Sequence, residues 1–448
     1  MNNYYKYPIL LLLISLFLGC SFDKKTGIWD GDEKRKILAK SGKQKNKNIV
    51  KIYSSDEEIY EEEIIATKSI ILTKPKKNLF WKSSNLNLQN HTGNLYLGEL
   101  NNRFLKKKFG KNKFSISKIL SSPLTYNDNI ILFDDLGTIF KMSLKGKIKW
   151  KKNIYKKVYK KIYKNLTFFI FGNQLYVADN IGMIYSMNLD DGNVTWIKNH
   201  GIPIKSNIKI FDNKIYFINQ ENTLVCLDTK DGSKIWDVRT TTSFIKSQNL
   251  LGFAISKEGK LVMVNSSGDL LKIDLGSGGI EWSLNPTSFY FAQDTDFFST
   301  TDILINKNEI FYSTSSSTFS INLFNGYVNW EKKIVSKMIP IADGNNVFLV
   351  SKNGYFVNLD RVSGEVIWST NLLKNLKENK RNTEITGFIL GNNRIYVTTL
   401  SGYLISASAN SGKLENFIKI GDNITTSPII SNGALFILTE DSKILGFS

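Results

Sequence analysis

Asp191-Gly192-Asn193-Val194-Thr195-Trp196 is a polar turn followed by two β-branched residues and a tryptophan. The same figure returns as Lys145-Gly146-Lys147-Ile148-Lys149-Trp150 and Asp231-Gly232-Ser233-Lys234-Ile235-Trp236. It returns again as Ser277-Gly278-Gly279-Ile280-Glu281-Trp282, Asn325-Gly326-Tyr327-Val328-Asn329-Trp330 and Ser363-Gly364-Glu365-Val366-Ile367-Trp368. In all six copies Trp stands four residues after Gly, and a worn seventh, Ser411-Gly412-Lys413-Leu414-Glu415-Asn416, ends in Asn. Successive Trp positions lie 46, 40, 46, 48 and 38 residues apart. Self-similarity at such a period marks a repeat architecture, and it governs the reading of every local feature.

Working outward from each copy, a second Gly or Asn precedes it by about ten residues: Gly137, Gly182, Asn222, Gly268, Gly354 and Gly402. Between the two markers runs a strand-like stretch ending in a small or acidic residue, such as Asn188, Asp228, Asp274 or Asp360. Two further apolar-alternating runs stand upstream, as in Asn207–Phe211 and Lys214–Ile218. Each unit is therefore strand, strand, strand, turn, strand with Trp. Four strands in a unit of this length predict a β-propeller. A lone four-stranded sheet exposes both faces, and radial stacking buries them. A Trp on the outer strand beside a Gly turn is suited to fill the wedge between blades. Trp150, Trp196, Trp236, Trp282, Trp330 and Trp368 are thus read as structural.

Seven blades fit between about Ser117 and Asn416. The C-terminus adds three strands, Ile424–Ile430, Ala434–Thr439 and Lys443–Phe447. The missing strand is expected from Gly93–Lys107, which closes the ring as a mixed eighth blade and leaves no open seam. The expectation is an all-β chain folded as an eight-bladed β-propeller of four-stranded antiparallel blades, closed by an N-terminal strand.

The N-terminus speaks to compartment. Pro8–Leu18 is an almost unbroken apolar run, too short to span a bilayer, and it leads into Phe17-Leu18-Gly19-Cys20. This looks like a bacterial lipoprotein signal, in which the Cys thiol is lipidated and becomes the mature N-terminus. An ordinary signal peptide followed by a free Cys is the other reading. The division that follows is residues 1–19 signal peptide, 20–80 polar tether and 81–448 propeller. The tether is lysine-rich, with an acidic cluster at Asp56–Glu63, and such composition resists forming a core. Cys226, in the strand-like Thr223–Asp228, reads as a small core residue.

The 448 residues carry a formal charge of +19. That would suit a polyanion, but Lys far outnumbers Arg and is spread along the chain, so nucleic acid is not an expected partner. The two His, His91 and His200, lie in no ligand motif and no metal-binding Cys/His spacing occurs, so neither a metal nor a cofactor is expected. No Gly-x-Ser-x-Gly elbow appears either.

The Gly-x-x-x-Trp units resemble the PQQ-like, or quinoprotein-type, propeller repeat. Eight blades behind a lipoprotein signal are similar to the BamB family of the outer-membrane β-barrel assembly machinery. The resemblance covers roughly Trp81 to Ser448. It implies a non-catalytic scaffold, lipid-anchored at Cys20 on the periplasmic side of the outer membrane. Such a scaffold docks on the POTRA domains of BamA beside other subunits of the machine and assists unfolded barrel proteins. Ser21 after the Cys fits an outer-membrane destination. Family docking loops map to the connection after the third blade, where Ile245 and Lys246 stand, and to the loop entering the fifth, with Asp294 and Asp296. Lys replaces the Arg the family leads one to expect, which removes a bidentate fork. The residues also leave open a generic envelope propeller binding a peptide, a glycan or peptidoglycan. A PQQ-dependent dehydrogenase is less well supported, since no vicinal Cys pair and no Ca²⁺-ligand cluster stand out. The lysine-rich Lys151–Lys164 connector reads as a long inter-blade link, with an amphipathic helix as the alternative.

Overall fold

The computed structural model describes residues 60–66, 68–111, 113–114, 121–241, 250–286, 300–351, 353–376 and 383–448. They form eight four-stranded antiparallel sheets, the blades of a β-propeller. The first blade runs Leu124–Tyr126, Asn129–Phe133, Ile139–Ser143 and Ile148–Lys152 from hub to rim, and blades two to seven repeat that order. The middle strands are buried on both faces, so they read as apolar runs such as Asn-Ile-Ile-Leu-Phe. The outer strands, such as Val194–Asn199, are largely exposed and read as mixed. Apolar burial between neighbouring blades is the main stabilising term, and it comes from these middle strands.

At the rim, each tryptophan reaches into the next blade rather than its own. The indole N–H of Trp150 donates to Leu189 O at 3.0 Å, Trp196 to Thr229 O at 3.0 Å, Trp282 to Leu323 O at 3.2 Å and Trp330 to Arg361 O at 2.8 Å. Each ring lies over the glycine of that neighbour's turn. A Cβ on Gly192 would fall 2.8 Å from the Trp150 ring, one on Gly232 2.6 Å from Trp196, and one on Gly412 2.6 Å from Trp368. The Gly278–Trp236 pair is looser, at 3.8 Å. These glycines also sit in the left-handed region, with φ of 70° at Gly192 and Gly232. The carboxamide or carboxylate ending the third strand steadies the turn. Asp228 Oδ1 accepts from Lys230 N at 2.7 Å, and Asn188 Oδ1 from Asp190 N at 2.7 Å.

The ring closes at the eighth blade, where Arg103–Lys108 pairs antiparallel with Lys443–Phe447. This is the C-terminal part of the stretch expected to close it. Leu105 takes the place of a tryptophan there, 3.2 Å from a Cβ built on Gly146. The same closure accounts for Asn416. The eighth blade takes its outer strand from Arg103–Lys108, so its third and outer strands are not joined by the Gly turn that the tryptophans cover in the other blades.

The approach to that closing strand has its own course. From Trp81 to Gly98 the chain makes one circuit of the hub and meets the inner strand or first hairpin of every blade in order. Trp81 pairs with Thr125 of the first blade. Lys82 O accepts from Ile170 N at 2.8 Å, Asn87 O from Lys209 Nζ at 3.1 Å, Leu88 O from Ile255 N at 2.9 Å and Gln89 O from Ile305 N at 2.9 Å. His91 Nε2 donates to Ala342 O at 3.0 Å, Leu95 N to Leu390 O at 3.2 Å and Gly98 N to Gly433 O at 2.8 Å. The circuit laps itself where Lys76 N donates to Asn94 O and Tyr96 N to Lys76 O, at 2.9 and 2.8 Å. Residues 60–80, assigned to the tether on composition, also lie on the blades. Ile64 and Ser369 exchange two backbone hydrogen bonds of 2.9 Å, and Thr73 bonds Asp343.

The lysine-rich connector folds as one 3₁₀ turn, Lys157–Lys161, with Val158 exposed and no buried residue, instead of an amphipathic helix. Its ends are held by Tyr155, whose hydroxyl donates to Asp179 at 2.6 Å, and by the buried Lys164.

Candidate functional site

The hub circuit covers the end of the central channel that carries the first hairpins. What remains is a cavity of about 740 Å³ open on the opposite face. Its floor includes Trp81, Asn85 and Asn90 of the circuit. Its wall is formed by the segments that lead into the inner strands, among them Leu250, Leu251, Thr300 and Thr301.

Those four residues tie the cavity to the loops singled out in the sequence. Ile245, Lys246, Asp294 and Asp296 lie outside the described residues, as does Cys20. The roots of both loops are described. The first loop leaves after Thr240 and Thr241. Thr240 Oγ1 donates to Asn222 O at 2.9 Å, and Asn222 Nδ2 to Thr241 O at 2.8 Å. It re-enters at Leu251, whose N–H donates to Lys205 O at 2.6 Å. The second leaves after Asn285, which bonds Ser267 O and Asp269, and re-enters at Thr301, paired with Ser313. Both loops therefore spring from neighbouring blades at one rim of the cavity, although about fifty residues separate them in sequence.

Asn222 is the link that sequence reasoning passed over. At φ 59° it holds the left-handed position that other copies give to Gly. Unlike Gly, its side chain bridges two blades, with Nδ2 donating to Ser266 Oγ at 2.7 Å and Oδ1 accepting from Ser266 N at 3.1 Å. The only signal was Asn in a glycine column.

Beneath the cavity, a polar knot joins the hub to the third, fourth and fifth blades. Asp302 accepts from Asn85 Nδ2 at 2.6 Å, Asn207 Nδ2 at 3.1 Å, Phe253 N at 2.7 Å and its neighbour Ile303 N at 2.9 Å. Lys209 is 1% exposed, and its ammonium donates to Asn90 Oδ1 at 2.6 Å and stands 5.5 Å from the Phe253 ring centre. Burial pulls the Lys209 ammonium down to about 8 and pushes the Asp302 carboxyl up, each offset in part by the other's charge. With four donors already on it, Asp302 is a structural anion rather than a free general base. The other acid lining the cavity, Glu384, is paired with Lys337 at 2.9 Å. Among the described residues no three His, Cys, Asp or Glu side chains form a metal-ligand cluster.

The remaining singled-out residues stand apart from this face. Cys226 is fully buried, and burial pushes its thiol up to about 11, which leaves it inert at neutral pH. His200 packs edge-on against Phe217, 5.4 Å between ring centres, and burial lowers its pKa.

A family model described as outer membrane protein assembly factor BamB matches residues 137–370, from the first blade into the sixth. The assembly factor BamB of Shewanella oneidensis is 21% identical over 281 residues, covering 61% of this chain and 68% of that protein. The BamB of Escherichia coli K12 is 20% identical over 326 residues, covering 61% and 81%. An uncharacterised Rickettsia prowazekii protein is 22% identical over 355 residues, covering 74% and 83%. Of solved structures, BamB from Moraxella catarrhalis aligns with a TM-score of 0.60 at 13% identity over 78% of this chain and 97% of that one. The quinohemoprotein alcohol dehydrogenase of Comamonas testosteroni aligns at 0.63 and 10% over 82% and 80%. At such identities the structural likeness concerns the fold alone.

Proposed function

The chain belongs to the family of the outer membrane protein assembly factor BamB, and from that membership we propose that it is a non-catalytic scaffold of outer-membrane β-barrel assembly. In this reading Cys20 carries the lipid, the tether gives reach, and the propeller faces the periplasm of the outer membrane. The cavity-rim face docks on the POTRA domains of BamA beside the other subunits and favours insertion of barrel proteins.

The observation that carries the reading is the family match, which spans the blades bearing both candidate loops. The common rim from which the two loops spring supports a single docking face. Ile245 would supply an apolar anchor with Lys246 beside it, and Asp294 and Asp296 would meet basic groups and steer association. The engagement of Asp302 and Glu384 supports the non-catalytic part of the proposal.

The test is capture of BamA from detergent-solubilised envelopes with the tagged chain and with an Ile245→Ala/Lys246→Glu variant. The expected result is recovery by the wild type and a loss of about tenfold or more in the variant, the scale of an interface hot spot. Equal recovery by both would keep the assembly role and discard this loop. No BamA with either chain, in a preparation where the machine stays intact, would overturn the role in favour of an envelope propeller that binds another ligand.

A further inference from the structure

A second cavity, of about 570 Å³, lies on the opposite face, between the hub circuit and the first hairpins of the fourth to sixth blades. Three lysines line it from three separate elements. Lys76 comes from the segment before the hub circuit that pairs with its end at Asn94 and Tyr96, Lys257 from the hairpin turn after Phe253–Ile255 and Lys307 from the turn after Leu304–Asn306. All three are exposed, and among the described residues no ion pair joins any of them to a carboxylate. Arg361 forms the back wall, but its charge is answered by Glu309, and its guanidinium also donates to Asn306 O at 2.8 Å and Asn306 Oδ1 at 3.1 Å. The acids of the lining are Glu258 and Asp343, and Asp343 already accepts from Thr73 N and Oγ1 at 2.7 and 2.6 Å. With Arg361 set against Glu309, three lysines face the two carboxylates of Glu258 and Asp343, and the lining keeps one positive charge in excess.

Two features separate this cluster from the general abundance of lysine. The first is backbone conformation. In the first hairpin of the other blades the left-handed positions belong to Asn, Asp or Gly: Asn127 and Asp128, Gly172, Asp212 and Asn213, Gly259, Gly344, Asn392 and Asn393, Asn432 and Gly433. In the fifth blade it belongs to Lys307, at φ 55°. Asn, Asp and Gly are the residues that favour this region, and a lysine kept where the sister copies hold them points to a use for its side chain. The second is contrast. The cavity at the far side of the hub, between the first and eighth blades, is lined by Leu79, Phe104, Tyr126 and Asp128, among others, and by no lysine.

We propose that Lys76, Lys257 and Lys307 form an anion site for a phosphate-bearing ligand. Three cations from three segments around one cavity suit a polyvalent anion with several acceptor oxygens better than a single carboxylate. The volume exceeds that of a bare phosphate, so the rest of the ligand meets the amides of Gln89 and Asn308. The net charge of +19 raises the local concentration of such anions. A phospholipid headgroup and a soluble phosphorylated molecule share this chemistry. The site is independent of the docking face and of the assembly reading.

The test is calorimetric titration of the full chain, in neutral detergent micelles, with inorganic pyrophosphate, repeated with micelles doped with phosphatidylglycerol. Saturable one-to-one binding is expected, and Lys307→Asn and Lys257→Gln each weaken it about tenfold, the scale of one charge-assisted contact. Lys307→Asn also raises the thermal midpoint, because Asn relieves the turn, so lost binding cannot be ascribed to unfolding. Lys160→Gln/Lys161→Gln, in the exposed 3₁₀ turn, removes two charges elsewhere and leaves affinity unchanged. Competition between phosphatidylglycerol and pyrophosphate would assign a headgroup, and its absence a soluble phosphate compound. Lack of saturable binding to both probes, unchanged affinity in Lys307→Asn, or an equal loss in the Lys160/Lys161 variant would overturn the proposal.

Discussion

At the rim, a tryptophan of one blade rests on a glycine of the next, and this one contact is copied around most of the ring. At the hub, residues 81–98 meet the same eight blades through contacts that follow no repeat: backbone carbonyls accept at some blades, backbone N–H groups donate at others, and side chains serve the third and sixth. The rim contacts, a ring over a glycine joined in four seams by an indole N–H on a backbone carbonyl, are local to one seam and near-equivalent, so the rim behaves as a sum of neighbour terms. The hub contacts are polar and mutually dependent, because Asn90 joins Lys209, Phe253 and Ile303, and Asp302 joins Asn85, Asn207 and Phe253. A repeat protein can thus hold its circumference by repetition and its centre by a single non-repeating thread.

The sharpest way to break this contrast is at one rim seam. Gly364→Val places a β-branched residue at φ 69° with its Cβ 2.7 Å from the Trp330 ring. The left-handed penalty and the overpacking together predict a loss of about 4 kcal/mol in urea unfolding. A loss below about 1 kcal/mol, the level of an ordinary surface change, would mean the seam yields easily and the rim is not the rigid region.

At the hub, Asn90→Leu removes two donated bonds, to Phe253 O at 3.1 Å and Ile303 O at 2.6 Å, and strips Lys209 of its side-chain partner. A buried ammonium left short of an acceptor, together with a leucine held at φ 56°, predicts a cost of about 3 kcal/mol. The double variant Asn90→Leu/Lys209→Met should recover part of that cost, whereas a rim and a hub substitution should add. Additivity of Asn90→Leu with Lys209→Met would show that the hub is no more coupled than the rim.

The smallest effect is expected at the closing seam. Leu105→Ala removes the side chain that stands in for tryptophan over Gly146, with a predicted cost of about 2 kcal/mol, at the low end for a buried leucine. A cost as large as that of Gly364→Val would make the joint between the termini as critical as any internal seam.

Much of the fold was legible in the chain. Trp four residues after Gly, at a period of four strands, led to eight blades and to a closing strand within Gly93–Lys107, of which the structure uses the C-terminal part, in Arg103–Lys108. The loss of tryptophan at Asn416 was visible too, but its reason needed the knowledge that each Trp serves the following blade. The hub circuit was not legible. Residues 60–80 have the composition of a tether that touches nothing, and residues 81–98 share no repeat with the blades from which a course around the hub could be read. The candidate docking residues were reached through family resemblance, while the common rim that joins their loops appeared only in the folded chain.

The sequence by itself determined what depends on neighbours along the chain: strand alternation, the left-handed glycine turns, the blade count and the placement of tryptophan. Each of these follows from relations over a few residues, and repetition makes them readable. Tertiary structure alone decided what the non-repeating residues do: the circuit of the hub, the bridge from Asn222 to Ser266, the bond from Asn90 to Ile303 and the placement of Lys76, Lys257 and Lys307 around one cavity. Those contacts join residues tens to hundreds of positions apart through single side chains and backbone groups, and such pairings leave no period in the sequence from which to predict them.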